Sequence, residues 1–268
     1  MILSQTGDVN DRSLGIMGRS GALQEAAELA SRYARSPLPI LLVGETGTGK
    51  EVFARLIHRL SGRPGSLVDI NCGALPREMV ESLLFGHRRG AFTGAVENIS
   101  GFIEQAADGT LLLDELLSLP MEAQAKLLRV LDTGETRRLG EAAKRRVDFR
   151  VISTAHEGLA GHLQERSFRL DLFHRLAGVV IELPALRQRP EDLMPLAEQF
   201  AGEHDRVLGE GVATVLHSHP WPGNIRELRT AIARACYGAP ERELSALAIE
   251  QAITSGADFG RHDERIAL

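Results

Sequence analysis

One stretch of about twenty residues limits the folds open to this chain more than any other. An apolar run over residues 39–43 enters a glycine-rich turn, Gly44-Glu45-Thr46-Gly47-Thr48-Gly49-Lys50. Val52, Phe53, Leu56, Ile57 and Leu60 then recur at helical spacing. Strand, turn and helix in that order turn backbone N–H groups toward an anion at the positive end of a helix dipole, an arrangement that cradles phosphate. Lys50 would reach the β- and γ-phosphates of a nucleotide. The strict pattern carries Ser or Thr after the lysine as a magnesium ligand, and here the residue is Glu51. A chance glycine turn is the competing reading.

A second motif counts against chance. Leu111-Leu112-Leu113-Asp114-Glu115 is an apolar strand that delivers two adjacent acids at its carboxyl end, where open α/β sheets bind ligands. Alternation along a strand would separate their directions. Asp114 can then help hold magnesium and its waters while Glu115 polarises an attacking water, a division of labour that nucleotide hydrolysis needs. Two solvated acids at a strand end are the bland alternative.

The remaining periodicity fits such a fold. Leu23, Ala26, Ala27, Ala30 and Ala34 predict a helix over residues 22–34, ended by Pro37. Residues 67–70, 110–113, 147–153 and 179–183 read as buried strands and 121–131 as a helix, so the expected class is α/β, a parallel sheet core flanked by helices. Composition shifts at Leu183-Pro184, and Pro190-Glu191-Asp192 is a helix-start signal. Beyond it only helices are expected, over 191–204, 211–217, 224–237 and 244–254. The expected organisation is a polar leader over 1–13, an α/β domain over 14–184, a small all-α domain over 185–254 and a polar tail over 255–268.

Composition excludes several classes. A net charge of −5 argues against a surface wholly given to nucleic acid. The 2 cysteines, Cys72 and Cys236, lie in apolar stretches without ligand spacing and read as buried hydrophobes. No apolar run reaches the roughly 18 to 20 residues of a membrane helix, and no signal sequence opens the chain. We therefore expect a cytoplasmic protein.

The segment Phe85-Gly86-His87-Arg88-Arg89-Gly90-Ala91-Phe92-Thr93-Gly94-Ala95 makes the reading specific. Together with the nucleotide loop, including its Glu51, it resembles the AAA+ ATPase domain of bacterial enhancer-binding proteins, the activators of sigma-54 RNA polymerase. The likeness runs from about Leu14 to about Thr254. It implies a P-loop NTPase with a helical lid, ATP and Mg2+ as cofactors, and a homo-oligomeric ring, expected to be a hexamer. Gly90, Ala91, Phe92, Thr93, Gly94 and Ala95 would form the loop that contacts sigma-54, with Phe92 and Thr93 at its tip. Asn71 matches the family's switch asparagine, which restrains Glu115. Phe168 to Arg175 resembles the segment whose arginines, here Arg169 and Arg175, reach a neighbouring subunit's γ-phosphate. Trp221-Pro222-Gly223-Asn224-Ile225-Arg226 resembles the motif opening the lid's sensor helix, with Arg226 reaching back to nucleotide. Trp221 itself reads as core packing.

Two departures bear on function. His156 stands where many relatives carry Asn at the end of the first sensor strand, and is expected to hydrogen-bond toward the γ-phosphate in its place. Arg88 and Arg89 replace an acid and a lysine, which reads either as added attraction for promoter DNA or as a solvated pair. Relatives usually carry a C-terminal helix-turn-helix domain and often an N-terminal sensing domain, and residues 256–268 are too short for a three-helix DNA-binding unit. Promoter DNA is accordingly expected only as part of the polymerase complex. Three readings stay open: an activator of the sigma-54 closed complex, an ATPase that remodels another protein, and an idle subunit that binds ATP without turnover. The missing DNA-binding unit and His156 favour the last. Lys50, Asp114, Glu115, Arg169 and Arg175 count against it.

Overall fold

The computed structural model describes residues 18–156 and 158–263, with side chains described to 255. The expected leader and the last five residues of the expected tail lie outside the described residues. The first helix, α1 (Gly21–Tyr33), buries Leu23, Ala26, Ala27 and Ala30, the stripe its spacing predicts.

The chain divides into two compact units. One comprises Ala26–Gly44 and Lys50–Glu182. It is built on five parallel strands, β1 (Ile40–Val43), β2 (Leu67–Asn71), β3 (Thr110–Asp114), β4 (Arg150–Ala155) and β5 (Val179–Glu182), in the order β2-β3-β4-β1-β5. Continuous apolar strands such as Thr110–Asp114 are sealed on both faces, as parallel sheets require. Helices α2 (Lys50–Ser61), α3 (Met121–Thr133) and α4 (Leu170–Leu176) belong to this unit. One core joins Ile70, Leu84, Leu111, Leu113, Leu127 and Leu172. Helix α2 buries Phe53, Ala54, Leu56 and Ile57 and leaves Val52 exposed, a narrower stripe than its sequence predicts.

The other unit comprises described residues up to Glu25, Glu45–Gly49 and the chain from Leu183 onward. Its helices are α5 (Pro190–Gly202), α6 (Val212–Ser218), α7 (Asn224–Gly238) and α8 (Ala246–Asp263). Pro190 occupies the first turn of α5, where its missing N–H costs nothing. A second core gathers Leu193, Phe200, Leu216, Trp221, Leu228 and Ile249. Trp221 is buried, and its indole N–H donates to the Leu216 carbonyl at 2.8 Å.

Three expectations are corrected. The all-helical reading of the second unit misses a two-residue parallel pair, Val207–Leu208 with Glu243–Leu244. The strand expected over 147–153 begins at Arg150, because the Val147 N–H is spent on the Gly134 carbonyl and the Asp148 carbonyl on the Asp108 N–H. Helix α8 runs on to Asp263, through residues read as tail.

Candidate functional site

The glycine turn follows β1 directly. Gly47 lies at φ +80°, and a Cβ there would sit 2.3 Å from the Gly223 carbonyl oxygen, so only glycine fits. Residues 45–49 are gripped by one segment of their own unit. The Ile225 N–H donates to the Gly47 carbonyl at 3.0 Å. Asn224, fully buried and at φ +52°, donates to Glu45 Oε2 at 2.9 Å and to the Thr46 carbonyl at 3.0 Å, and accepts from the Leu186 N–H at 2.7 Å. Arg187 makes a two-pronged pair with Glu45, and buried Arg189 donates to the Thr48 carbonyl at 3.0 Å. The Thr48 hydroxyl turns inward to the Glu45 carbonyl at 2.8 Å. Arg226 is exposed, with its Cβ 3.2 Å from where a Gly47 Cβ would stand.

At the other end of the turn, Lys50 Nζ donates to the Gly44 carbonyl at 2.7 Å and Gly44 N–H to the Ala155 carbonyl at 3.3 Å. Glu51 points along the exposed face of α2 to Arg55, at 2.6 Å.

The sheet's carboxyl edge assembles the acids. Asn71 stands opposite Asp114 in the register of β2 and β3, and Leu113 opposite Ser153 in that of β3 and β4. The Thr154 hydroxyl donates to Asp114 Oδ1 at 2.5 Å and accepts from the Glu115 N–H at 3.1 Å. The strand stops at Asp114. Glu115 is therefore set apart from Asp114 not by strand alternation but by a left-handed turn at φ +53°, ψ +47°, ahead of the one-turn helix Leu116–Ser118. Its carboxylate lies in a notch at Gly73, where a Cβ would meet Oε2 at 2.2 Å. Asn71 makes no hydrogen bond to Glu115 among the described residues. Its side-chain oxygen caps the turn Cys72–Ala74, accepting from Gly73 N–H at 2.8 Å and Ala74 N–H at 3.0 Å. Asn71 thus orders the glycine that meets Glu115. Burial, with the nearby Asp114 and Glu115 carboxylates, pushes the Cys72 thiol up to about 12, and Cys236 is buried as well, so both behave as hydrophobes.

His156 follows β4. Its Nδ1 accepts from the Gly158 N–H at 2.9 Å, which in the neutral ring leaves the proton on Nε2 as a donor. Helix α4 carries both candidate finger arginines. Arg169, at its N-terminal cap, pairs with Asp171 at 2.7 Å, and exposed Arg175 bonds the Leu131 carbonyl at 2.6 Å and Asp132 at 3.3 Å.

The signature insertion is a closed loop on a short base. Gly86–His87 pairs antiparallel with Ile99–Ser100, and Leu139 bonds both the Gly86 carbonyl and the Arg88 N–H. Gly90 N–H donates to the Ala95 carbonyl at 2.8 Å, and Ala95 N–H to that of Phe92 at 3.0 Å. Ala95 is buried, and Phe92 and Thr93 are exposed at the turn, with the Phe92 ring edge-on to His87 at 5.0 Å. Arg88 is not a free cation: it pairs at 3.0 Å with Glu141, whose side chain is buried and also binds Arg145.

Sequence reasoning missed Thr154, Gly73 and Asn224. The last could have been found, since a small polar residue after Pro-Gly tolerates a left-handed backbone. Thr154 and Gly73 carry no local signal, because each matters through a residue distant in sequence.

The donor chemistry fits magnesium. Asp114 offers a half-buried carboxylate at the strand end, and among the described residues no group of three His, Cys, Asp or Glu could hold a metal alone. Mg2+ suits such a site, as it binds through one or two carboxylates together with substrate phosphates and water.

The model of the Sigma-54 interaction domain family matches residues 16–182, and that of the AAA+ ATPase lid domain matches residues 187–265. The chain is 44% identical over 247 residues to the nitric oxide reductase transcription regulator NorR2 of Cupriavidus necator, covering 89% of this chain and 47% of that protein. It is 45% identical over 222 residues to the response regulator protein FleR of Pseudomonas aeruginosa, covering 80% and 47%. The crystal structure of NtrX from Brucella abortus in complex with ATP is similar at a TM-score of 0.80 and 34% identity, covering 87% of this chain and 53% of that one. The chain thus spans about half the length of the curated relatives it matches.

Proposed function

This chain belongs to the sigma-54 interaction domain family of AAA+ proteins, and from that membership we propose that it is the ATP-hydrolysing motor of a cytoplasmic transcription activator. The motor remodels sigma-54 RNA polymerase at closed promoters and works as a ring, expected to be hexameric. The observation that carries this reading is the closed loop over Gly90–Ala95 with Phe92 and Thr93 exposed at its turn, in the same compact unit as Lys50, Asp114 and Glu115.

In this reading residues 14–184 form the ATPase domain and 185–254 its lid. Backbone N–H groups of residues 44–50 hold the phosphates, Lys50 exchanges the Gly44 carbonyl for the β- and γ-phosphate oxygens, and Arg226 contacts nucleotide from the lid. Glu51 completes the nucleotide loop at the start of α2, its carboxylate resting on Arg55 at 2.6 Å. Asp114 would hold Mg2+, which would supply positive charge against the nucleotide phosphates. Glu115 accepts a proton from water as the water oxygen bonds to the γ-phosphorus, and ADP leaves with the bond electrons. Arg169 and Arg175 serve the neighbouring subunit. Asn71, through Gly73, sets where Glu115 rests between turnovers.

A second reading, an idle ATP-binding subunit, draws on His156, whose ring is engaged with Gly158. One experiment separates these. ATP hydrolysis is measured across a protein titration, with and without sigma-54, for wild type, Glu115→Ala and Thr93→Ala. We expect turnover that rises with concentration, is lost in Glu115→Ala, and persists in Thr93→Ala without engagement of sigma-54. No turnover at any concentration leaves the idle subunit. Turnover with no response to sigma-54 in the wild type points to another target protein.

A further inference from the structure

We infer that Thr154 is a positioning residue for hydrolysis: its single hydroxyl fixes Asp114 and Glu115 relative to one another. This rests on the ATPase reading above and assigns that site a residue outside its motifs. Two observations carry it. The Thr154 hydroxyl donates its only hydrogen to Asp114 Oδ1 at 2.5 Å, within the range of a charge-assisted bond to a carboxylate. The same oxygen accepts the Glu115 N–H at 3.1 Å. With its hydrogen spent, Thr154 has none left for substrate, so it acts through the two acids.

The location gives this bond leverage. Glu115 sits left-handed at φ +53°, a conformation that is costly for a residue with a Cβ and persists only where its surroundings hold it. The bond to Thr154 holds the backbone N–H at that residue. A β-branched side chain on a central strand supplies a stiff anchor, and Thr154 is buried. With Oδ1 directed to Thr154, Oδ2 is the Asp114 oxygen left for a cation. The adjacent Ser153 gives the contrast: its hydroxyl, equally buried, has no hydrogen-bond partner among the described residues. Of these two neighbouring hydroxyls on β4, the one at Thr154 bridges the acids.

Thr154→Val keeps the shape and removes the hydroxyl, Thr154→Ser restores it, and Ser153→Ala is the control. Each is assayed for turnover and for binding of a fluorescent ATP analogue with and without Mg2+. We expect Thr154→Val to lose about tenfold or more in kcat and in the Mg2+-dependent gain in affinity, with metal-free binding within about twofold of wild type. Thr154→Ser should recover most of both, and Ser153→Ala should match wild type. Unchanged kcat and unchanged Mg2+ dependence in Thr154→Val overturn the inference. So does an equal loss of metal-free binding, which would mark a purely structural role. Should the wild type show no turnover, the ATPase reading falls, and the Mg2+-dependent binding still decides whether Thr154 positions Asp114.

Discussion

Gly73 shows how much of this site rests on a side chain that is not there. The Glu115 carboxylate occupies the space a Cβ would need, and the neighbouring contacts, Asn71 Oδ1 at 3.3 Å and Ser118 Oγ at 3.4 Å, leave a methyl group little room to turn aside. The closest atom is the far end of a flexible side chain, so Gly73→Ala should displace the carboxylate without unfolding the turn. An ångström-scale shift in a group that orients water costs up to about 100-fold in rate. We expect Gly73→Ala to lower kcat at least tenfold while the melting temperature and nucleotide affinity stay near those of wild type. Steady-state kinetics with thermal melting checks this, and wild-type turnover would show that the resting place of Glu115 has no bearing on catalysis.

Among the elements, β4 begins with a buried charge that periodicity could not announce. Arg150 is 3% exposed and donates to the carbonyls of Tyr33 at 2.7 Å, Leu38 at 3.3 Å and Ala34, so it caps the end of α1 and the turn that leads into β1. A cation there also complements the helix dipole. Arg150→Met removes the donors and leaves the carbonyls buried, which should cost about 3 kcal/mol in urea unfolding, with Arg150→Lys recovering only part because it lacks the planar fork. A loss below about 1 kcal/mol would mean that other donors take over. Apolar patterning made the five strands and the long helices legible, since the strands are short, largely apolar runs and each long helix buries a face over a full period. It could not reveal the pairs Gly86–His87 with Ile99–Ser100 and Val207–Leu208 with Glu243–Leu244, as two residues have no period. At the site, Lys50, Asp114 and the Gly90–Ala95 loop were legible as contiguous motifs. The left-handed Glu115 was not, because its conformation follows from Gly73 and Thr154, distant in sequence.

At the scale of the whole molecule, the two arginines proposed as fingers are engaged within one chain, Arg169 with Asp171 and Arg175 with Asp132 and the Leu131 carbonyl. These are exposed contacts of the kind that contributes little, so a neighbouring phosphate can displace them at small cost. If the fingers act in trans, hydrolysis belongs to the pair of subunits, and two inactive variants should complement one another. A subunit with Arg175→Ala keeps a working Glu115, and one with Glu115→Ala keeps a working finger. Mixed one to one, about a quarter of the subunit junctions hold both, so hydrolysis should return toward roughly a quarter of wild type, and only at concentrations where rings form. Were Arg175 to act within its own chain, every mixed junction would still lack one group and no mixture would regain activity.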